Sequence, residues 1–313
     1  MKIDKNILIM SKFPQRVVEH FDETFNTFKL YEETDKQKYL KEVSPIIDGI
    51  AVMGPTVVSA EIISSLPKLK IIGNFGVGFD AIDVKKASDA NVKVTNTPNV
   101  LNDEVADTAV ALTLSVYRQI IEANKFLLNR LWLKSEFPLS RKFSGTKFGI
   151  LGMGRIGKAI AKRMEAFDCD ISYHSRNKKD VKYKYFSSLE NLAENVDTLC
   201  VITPGGEETK HLVNKSVLEK LGKNGVLINI ARGSVVDQKA LIEALKAGVI
   251  SGAGLDVFDN EPNVPNDLIE LENVVLLPHV GSATIETRYE MGKMVYDNIV
   301  AFFSNKKLLS PVN

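Results

Sequence analysis

At 313 residues the chain is longer than a single hydrophobic core usually supports, so two domains of roughly 100–200 residues are expected. Its 40 basic and 39 acidic residues leave a net charge of +1, which provides no general attraction to nucleic acid or to an anionic membrane surface. No stretch approaches ~18 consecutive apolar residues, so no membrane span is expected, and 44% apolar with 25% charged residues excludes a disordered chain.

The opening apolar run at residues 7–10 is too short for a signal peptide. The two cysteines, Cys169 and Cys200, lack the C-x-x-C spacing of zinc or redox sites. Buried free thiols, no metal and a cytoplasmic location are therefore expected.

Short apolar runs at 7–10, 25–30, 49–53, 71–75 and 92–95 alternate with amphipathic stretches, the pattern of a parallel sheet covered by helices on both faces. Thr95-Asn96-Thr97-Pro98 punctuates that series. A long helix is expected over 102–129. It is apolar almost all round and so buried. Residues 130–143 read as irregular, with Trp132 beside Leu131, Leu133 and Phe137, an excursion suited to the core or to a second subunit.

The next strand, 148–151, runs into Gly152-Met153-Gly154-Arg155-Ile156-Gly157 and a helix. Strand, G-x-G-x-x-G turn and helix are the context of a dinucleotide fingerprint. Gly152 makes the turn, Gly154 admits a pyrophosphate to the backbone, and Gly157 lets helix and strand pack closely. The amides and positive dipole end of the helix, beginning at Arg155 and Ile156, would face the phosphates. Further strands are expected at 170–174, 198–203, 226–230, 252–255 and 274–277, six in all for this half, followed by a last helix over 285–303. If that helix returns to the first half, the first domain is discontinuous and a cleft lies between two lobes.

Ligands of open α/β sheets bind beyond the carboxyl ends of strands. Three polar residues stand there: Arg232 after 226–230, Glu261 beyond 252–255 and His279 after 274–277. Taken singly, each has a structural reading as a helix cap, a solvated acid or a satisfied histidine. Together they supply what carbonyl reduction needs. Hydride arriving at a ketone carbon builds negative charge on its oxygen, which a nearby imidazole can protonate. A carboxylate fixes the ring, and an arginine fork holds a substrate carboxylate or the carbonyl oxygen. The set points to a 2-oxo acid.

Over nearly its whole length the sequence resembles the D-isomer-specific 2-hydroxyacid dehydrogenases, above all their glyoxylate and hydroxypyruvate reductase branch. The resemblance rests on Gly76-Val77-Gly78-Phe79-Asp80-Ala81-Ile82-Asp83, Asn96-Thr97-Pro98, Ala106-Asp107-Thr108-Ala109, the glycine fingerprint, Asn229-Ile230-Ala231-Arg232-Gly233, Asp256 through Glu261-Pro262, and Pro278-His279-Val280-Gly281-Ser282-Ala283-Thr284. It implies two doubly wound domains: a flavodoxin-like substrate domain of residues 1–98 and 282–313, and a Rossmann coenzyme domain of residues 99–281. It implies His279 as general acid/base, Glu261 as its partner and Arg232 as the substrate-orienting cation. It further implies that the Val77-Gly78 backbone and the Met53-Gly54 loop contact substrate. Thr108, Pro204, Ala231 and Asp256 would contact the cofactor, and a homodimer would form through the coenzyme domain.

NAD-specific members end their second coenzyme-domain strand with an acid that receives the ribose hydroxyls. Here that strand runs into His174-Ser175-Arg176-Asn177-Lys178-Lys179. Ser175, Arg176 and Lys178 suit a 2′-phosphate, so NADP(H) is expected in preference to NAD(H), which remains usable. The loop Pro204-Gly205-Gly206 departs from the family's usual leucine-threonine after the proline. Two alternatives stand beside a small 2-oxo acid reductase: a broader reductase of larger 2-oxo acids, and a dinucleotide-sensing binding protein like the corepressors that share this fold.

Overall fold

The computed structural model describes residues 2–54 and 56–313, and the chain divides into two units, Met1–Leu101 with Ala283–Asn313, and Asn102–Ser282. Among the described residues, the first unit holds five parallel strands: β1 Asn6–Ile9, β2 Asn26–Lys29, β3 Gly49–Met53, β4 Ile71–Phe75 and β5 Lys93–Thr95. Their spatial order is β2-β1-β3-β4-β5, the flavodoxin-like order. Ile7, Leu8 and Ile9 of β1, Ile50 and Ala51 of β3, and Ile71 and Ile72 of β4 are all inaccessible to solvent, as strands covered on both faces must be. The helix Ile285–Phe303 lies across β4 in the same unit. Gly73 admits it, since a methyl there would come within 2.7 Å of Val295.

The second unit has seven parallel strands among its residues: β6 Lys147–Leu151, β7 Asp170–His174, β8 Lys184–Tyr185, β9 Thr198–Val201, β10 Val226–Asn229, β11 Gly252–Leu255 and β12 Val274–Leu276. The order β12-β11-β10-β9-β6-β7-β8 is the Rossmann order with one strand added beyond the sixth. The strand order reverses between β6 and β9, and ligand crevices open at such a point. The extra strand relative to the sequence expectation is β8. It pairs only at Ser172↔Lys184 and Tyr173↔Tyr185, and two residues are too few to show a period.

The helix expected over 102–129 is two helices, Asn102–Arg118 and Ile120–Leu128, broken at Gln119 where φ is 49°. Only the first is buried, through Val105, Ala106, Ala109 and Leu112; the second has no buried residue. Leu128, Trp132, Leu133 and Leu139 are 71, 68, 83 and 102% exposed, so this apolar excursion does not enter the core of the chain. Cys200 is buried, but Cys169 is only half-buried, short of the expectation. Among the described residues no helix is long and apolar enough to cross a membrane, and no cluster of acidic, cysteine or histidine side chains is placed to hold a metal.

Candidate active site

The glycine turn follows β6 at the reversal point. Gly152 has φ 109°, and a methyl on it would meet the Ile202 carbonyl oxygen at 2.7 Å, so the turn lies against the end of β9 and excludes any larger residue. Gly157 lies directly on the Gly152 carbonyl, while open space stands over Gly154. The three α-helices that come next after Arg155–Glu165 in this unit begin under a side-chain cap, from Ser188, Asn214 and Asp237. The helix Arg155–Glu165 begins at Gly154 with no side-chain cap, which leaves its first amides available to an anion. Beside it, the buried Thr203 hydroxyl has no partner among the described residues, a polar atom that the fold alone does not satisfy. An open, positively polarised cradle fits a dinucleotide pyrophosphate.

At the end of β10 the Asn229 side chain, 1% exposed, receives the Ala231 amide at 3.1 Å and donates to the Arg232 carbonyl at 2.9 Å. Arg232 Nη1 in turn donates to the Ala231 carbonyl at 2.7 Å. The next residue, Gly233, carries the backbone of Phe258 and Asp259 directly on its α-carbon. That contact joins the loop after β10 to the loop after β11. Glu261 is fixed there by the Phe258 amide, which donates to Oε1 at 3.0 Å.

His279 Nδ1 and Glu261 Oε2 are 2.7 Å apart, with the side chains 45 and 22% exposed. Burial opposes ionisation of Glu261, but the His279 hydrogen bond, the Phe258 amide and the charges of His279 and Arg232 outweigh it and hold its pKa below the usual carboxylate range. His279 itself has φ 53°, and the turn beyond it is gripped by Asp256: Oδ1 accepts the Val280 amide and Oδ2 the Gly281 amide, both at 2.7 Å. Burial pushes the Asp256 carboxyl up, with the two amides pulling against it. Thr108 Oγ1 donates to Glu104 and lies 3.3 Å from the Gly281 carbonyl oxygen. Arg232, Glu261, His279, Asp256, Ala231 and Thr108 therefore belong to one bonded network around the ends of β10, β11 and β12.

Ser175, Arg176 and Lys178 follow β7. Ser175 Oγ donates to the Asn177 carbonyl at 2.8 Å, and Arg176 pairs with Glu208 of the loop after β9 at 2.8 Å, where Pro204 also lies. His174 Nδ1 is 2.8 Å from the Phe186 carbonyl oxygen.

The first unit carries its own polar turn after β4. Asn74 Nδ2 donates to the carbonyls of Gly76 and Gly78, and Asn96 Nδ2 to that of Val77. In a trans peptide the N–H points opposite to the C=O, so the amides of Val77 and Gly78 face away from this grip, as carboxylate donors would. Ser11 Oγ holds both the amide and the carbonyl of Met53 at 3.1 and 3.0 Å, ahead of Gly54 with φ 68°. Pro55, which follows Gly54 in that loop, lies outside the described residues. Asn74, Asn96 and Asn229 were not expected at the site from sequence. A buried asparagine inside an apolar run, as in Gly73-Asn74-Phe75 and Ile228-Asn229-Ile230, is the signal that marks two of them.

Residues 110–281 match the family model described as D-isomer specific 2-hydroxyacid dehydrogenase, NAD binding domain. The chain is 46% identical over 307 residues to hydroxyphenylpyruvate reductase of Plectranthus scutellarioides, covering 98% of each. It is 45% identical over the same length to glyoxylate/hydroxypyruvate reductase A of Arabidopsis thaliana, again covering 98% of each. Among solved structures, the NADPH-dependent glyoxylate/hydroxypyruvate reductase of Sinorhizobium meliloti, in complex with NADP and malonate, superposes with a TM-score of 0.91 at 44% identity, covering 98% of this chain and 96% of that one. With the fold, the glycine turn and the histidine-carboxylate-arginine network in place, the chain belongs to the D-isomer-specific 2-hydroxyacid dehydrogenase family, in its glyoxylate/hydroxypyruvate reductase branch.

Proposed function

We propose that this protein reduces a small 2-oxo acid, glyoxylate or hydroxypyruvate by preference, to the D-2-hydroxy acid, with NADPH used in preference to NADH. The observation that carries the reading is the 2.7 Å His279–Glu261 pair beside Arg232 in the network that closes the strand ends next to the glycine turn.

A bound reduced nicotinamide supplies the hydride. The chain's own residues do the rest. Glu261 accepts a hydrogen bond from Nδ1–H of His279, which leaves Nε2 to face the substrate oxygen, and in the imidazolium form Nε2 carries the proton to be donated. The proton passes from Nε2 to that oxygen as hydride reaches the carbon, and the ion pair with Glu261 offsets the imidazolium charge until the transfer. Arg232 orients the substrate by its planar fork. The outward amides of Val77 and Gly78 receive the substrate carboxylate, and the Met53-Gly54 loop borders its side chain. Gly152, Gly154, Gly157, Arg155 and Ile156 seat the pyrophosphate. Thr108, Pro204, the Ala231 carbonyl and Asp256 border the nicotinamide half, and Ser175, Arg176 and Lys178 take the 2′-phosphate.

A second reading has specific support: the relative at 46% identity is named for hydroxyphenylpyruvate, so larger 2-oxo acids belong in the test. Initial rates over glyoxylate, hydroxypyruvate, hydroxyphenylpyruvate and phenylpyruvate, each with NADPH and NADH, decide among the readings. Faster turnover of the aromatic acids replaces the small-acid reading with the broader one. Equal efficiency with NADH removes the 2′-phosphate assignment. NADPH binding with no turnover of any acid favours a binding protein.

The exposed apolar surface of Leu128, Trp132, Leu133 and Leu139 supports a homodimer through the second unit. Sedimentation analysis tests it: Leu133→Glu is expected to give monomers, and a wild-type monomer refutes it. Two thiols, both unpaired, favour a reducing compartment, for which we propose the cytoplasm.

A further inference from the structure

The turn that carries Ser175, Arg176 and Lys178 is tied at both ends by tyrosine hydroxyls. Tyr173 in β7 is fully buried, yet its Oη donates to the Lys179 carbonyl at 3.0 Å and accepts the Lys179 amide at 2.8 Å. One hydroxyl thus closes residues 174–178 into a ring. Tyr185, in the short strand β8, donates to the Ser175 carbonyl at 3.3 Å; its ring lies 5.3 Å from that of Tyr173 and is stacked with His174 at 6.4 Å.

A buried phenol needs a partner, and phenylalanine would fill the same space without that need. Both partners of the Tyr173 hydroxyl are backbone atoms of one residue, Lys179, just beyond the cationic turn. The hydroxyl's two bonds therefore both go to the turn, and the shape of the turn depends on them.

We propose that Tyr173, seconded by Tyr185, is a positioning residue for cofactor choice: it holds the cationic turn in its receiving shape before the 2′-phosphate arrives. This rests on the assignment of Ser175, Arg176 and Lys178 to that phosphate. Three long or rotatable side chains on a slack turn lose freedom when they close on one anion, and a turn already fixed avoids the backbone share of that loss. NADH lacks the phosphate and does not draw on the turn, so the effect is confined to one cofactor.

The test is nucleotide-fluorescence titration of the full-length protein, without substrate, for wild type, Tyr173→Phe and Tyr185→Phe. Tyr173→Phe is expected to raise the NADPH dissociation constant about three- to tenfold, the loss of a hydroxyl's hydrogen bonds, while that for NADH stays within about twofold. Tyr185→Phe, whose bond is longer and whose side chain is only half-buried, is expected to act in the same direction and less; it carries the test if the buried substitution does not fold. An unchanged NADPH constant, or equal weakening of both cofactors, overturns the proposal. Wild-type protein that binds NADH as tightly as NADPH shows instead that the 2′-phosphate assignment has failed, before any variant is compared, and the positioning role falls with it.

Discussion

Gly233 joins the arginine loop to the glutamate loop, and Gly233→Ala perturbs that joint without touching a charged group. A methyl on Gly233 falls inside the van der Waals envelope of the Phe258 carbonyl and the Asp259 amide. Ordinary contact begins at 3.4 Å, so the two backbones must part by roughly an ångström or more. Backbone cannot rotate away as the end of a flexible side chain can. Glu261 is tied to that segment through the Phe258 amide at 3.0 Å and to His279 at 2.7 Å, so the displacement passes directly to His279, the proposed proton donor. Overpacking of this kind costs about 1–3 kcal/mol, and for a domain of this size each kcal/mol lowers Tm by about 2–4 °C. Misplacement by about 1 Å reduces turnover by about 10²-fold. Thermal melting and steady-state kinetics read the two effects. A folded Gly233→Ala protein is expected to lose more in kcat than in NADPH affinity, because the glycine turn after β6 is not involved. Wild-type kcat in this variant would refute the reasoning that the two loops position each other.

His279→Ala is expected to lower kcat by roughly 10²–10⁴-fold with little change in cofactor affinity, measured by stopped-flow and by titration; near-wild-type turnover removes His279 as proton donor. Arg232→Lys is expected to raise KM for the 2-oxo acid at least about tenfold, since an ammonium does not reproduce the planar fork, and an unchanged KM and kcat contradicts its orienting role. Glu261→Gln tests linkage. The folded-state pKa of Glu261 is lowered, so its contribution to stability is fully present above the unfolded value of about 4.5 and disappears as pH falls through the folded value. Wild type is expected to exceed the variant by about 1 kcal/mol at pH 7, after allowance for the half-exposed imidazole. The gap should close as pH falls below about 4.5; a gap independent of pH from 7 to 3 shows that the charge of Glu261 is not what stabilises the pair.

Much of the fold was legible because a strand covered on both faces leaves a continuous apolar run. The runs at 49–53, 71–75 and 252–255 coincide with β3, β4 and β11, and the strand expected at 170–174 coincides with β7. The last helix also matches its expected span of Ile285–Phe303. The break at Gln119 was not legible, because its residue type does not demand the left-handed backbone it adopts. Nor was β8, whose two residues are held by edge pairing to β7 and not by any pattern of their own. At the site, residue type and position after a strand picked out Arg232, Glu261 and His279, since chemistry of this class needs a fork, an acid and an imidazole.

Local patterning, then, determined that this chain makes two parallel sheets, with a glycine turn after β6 and polar side chains at strand ends. Periodicity and glycine spacing are properties of consecutive residues, and a linear text carries them in full. Only the tertiary structure decided that Asn229 ties down the Arg232 loop, that Gly233 seats that loop on Phe258, that Asp256 grips the two amides beyond His279, and that Tyr173 closes the cationic turn. The Gly233 and Asp256 contacts join positions far apart in the chain, and the close approach each requires is set by strand order and packing together.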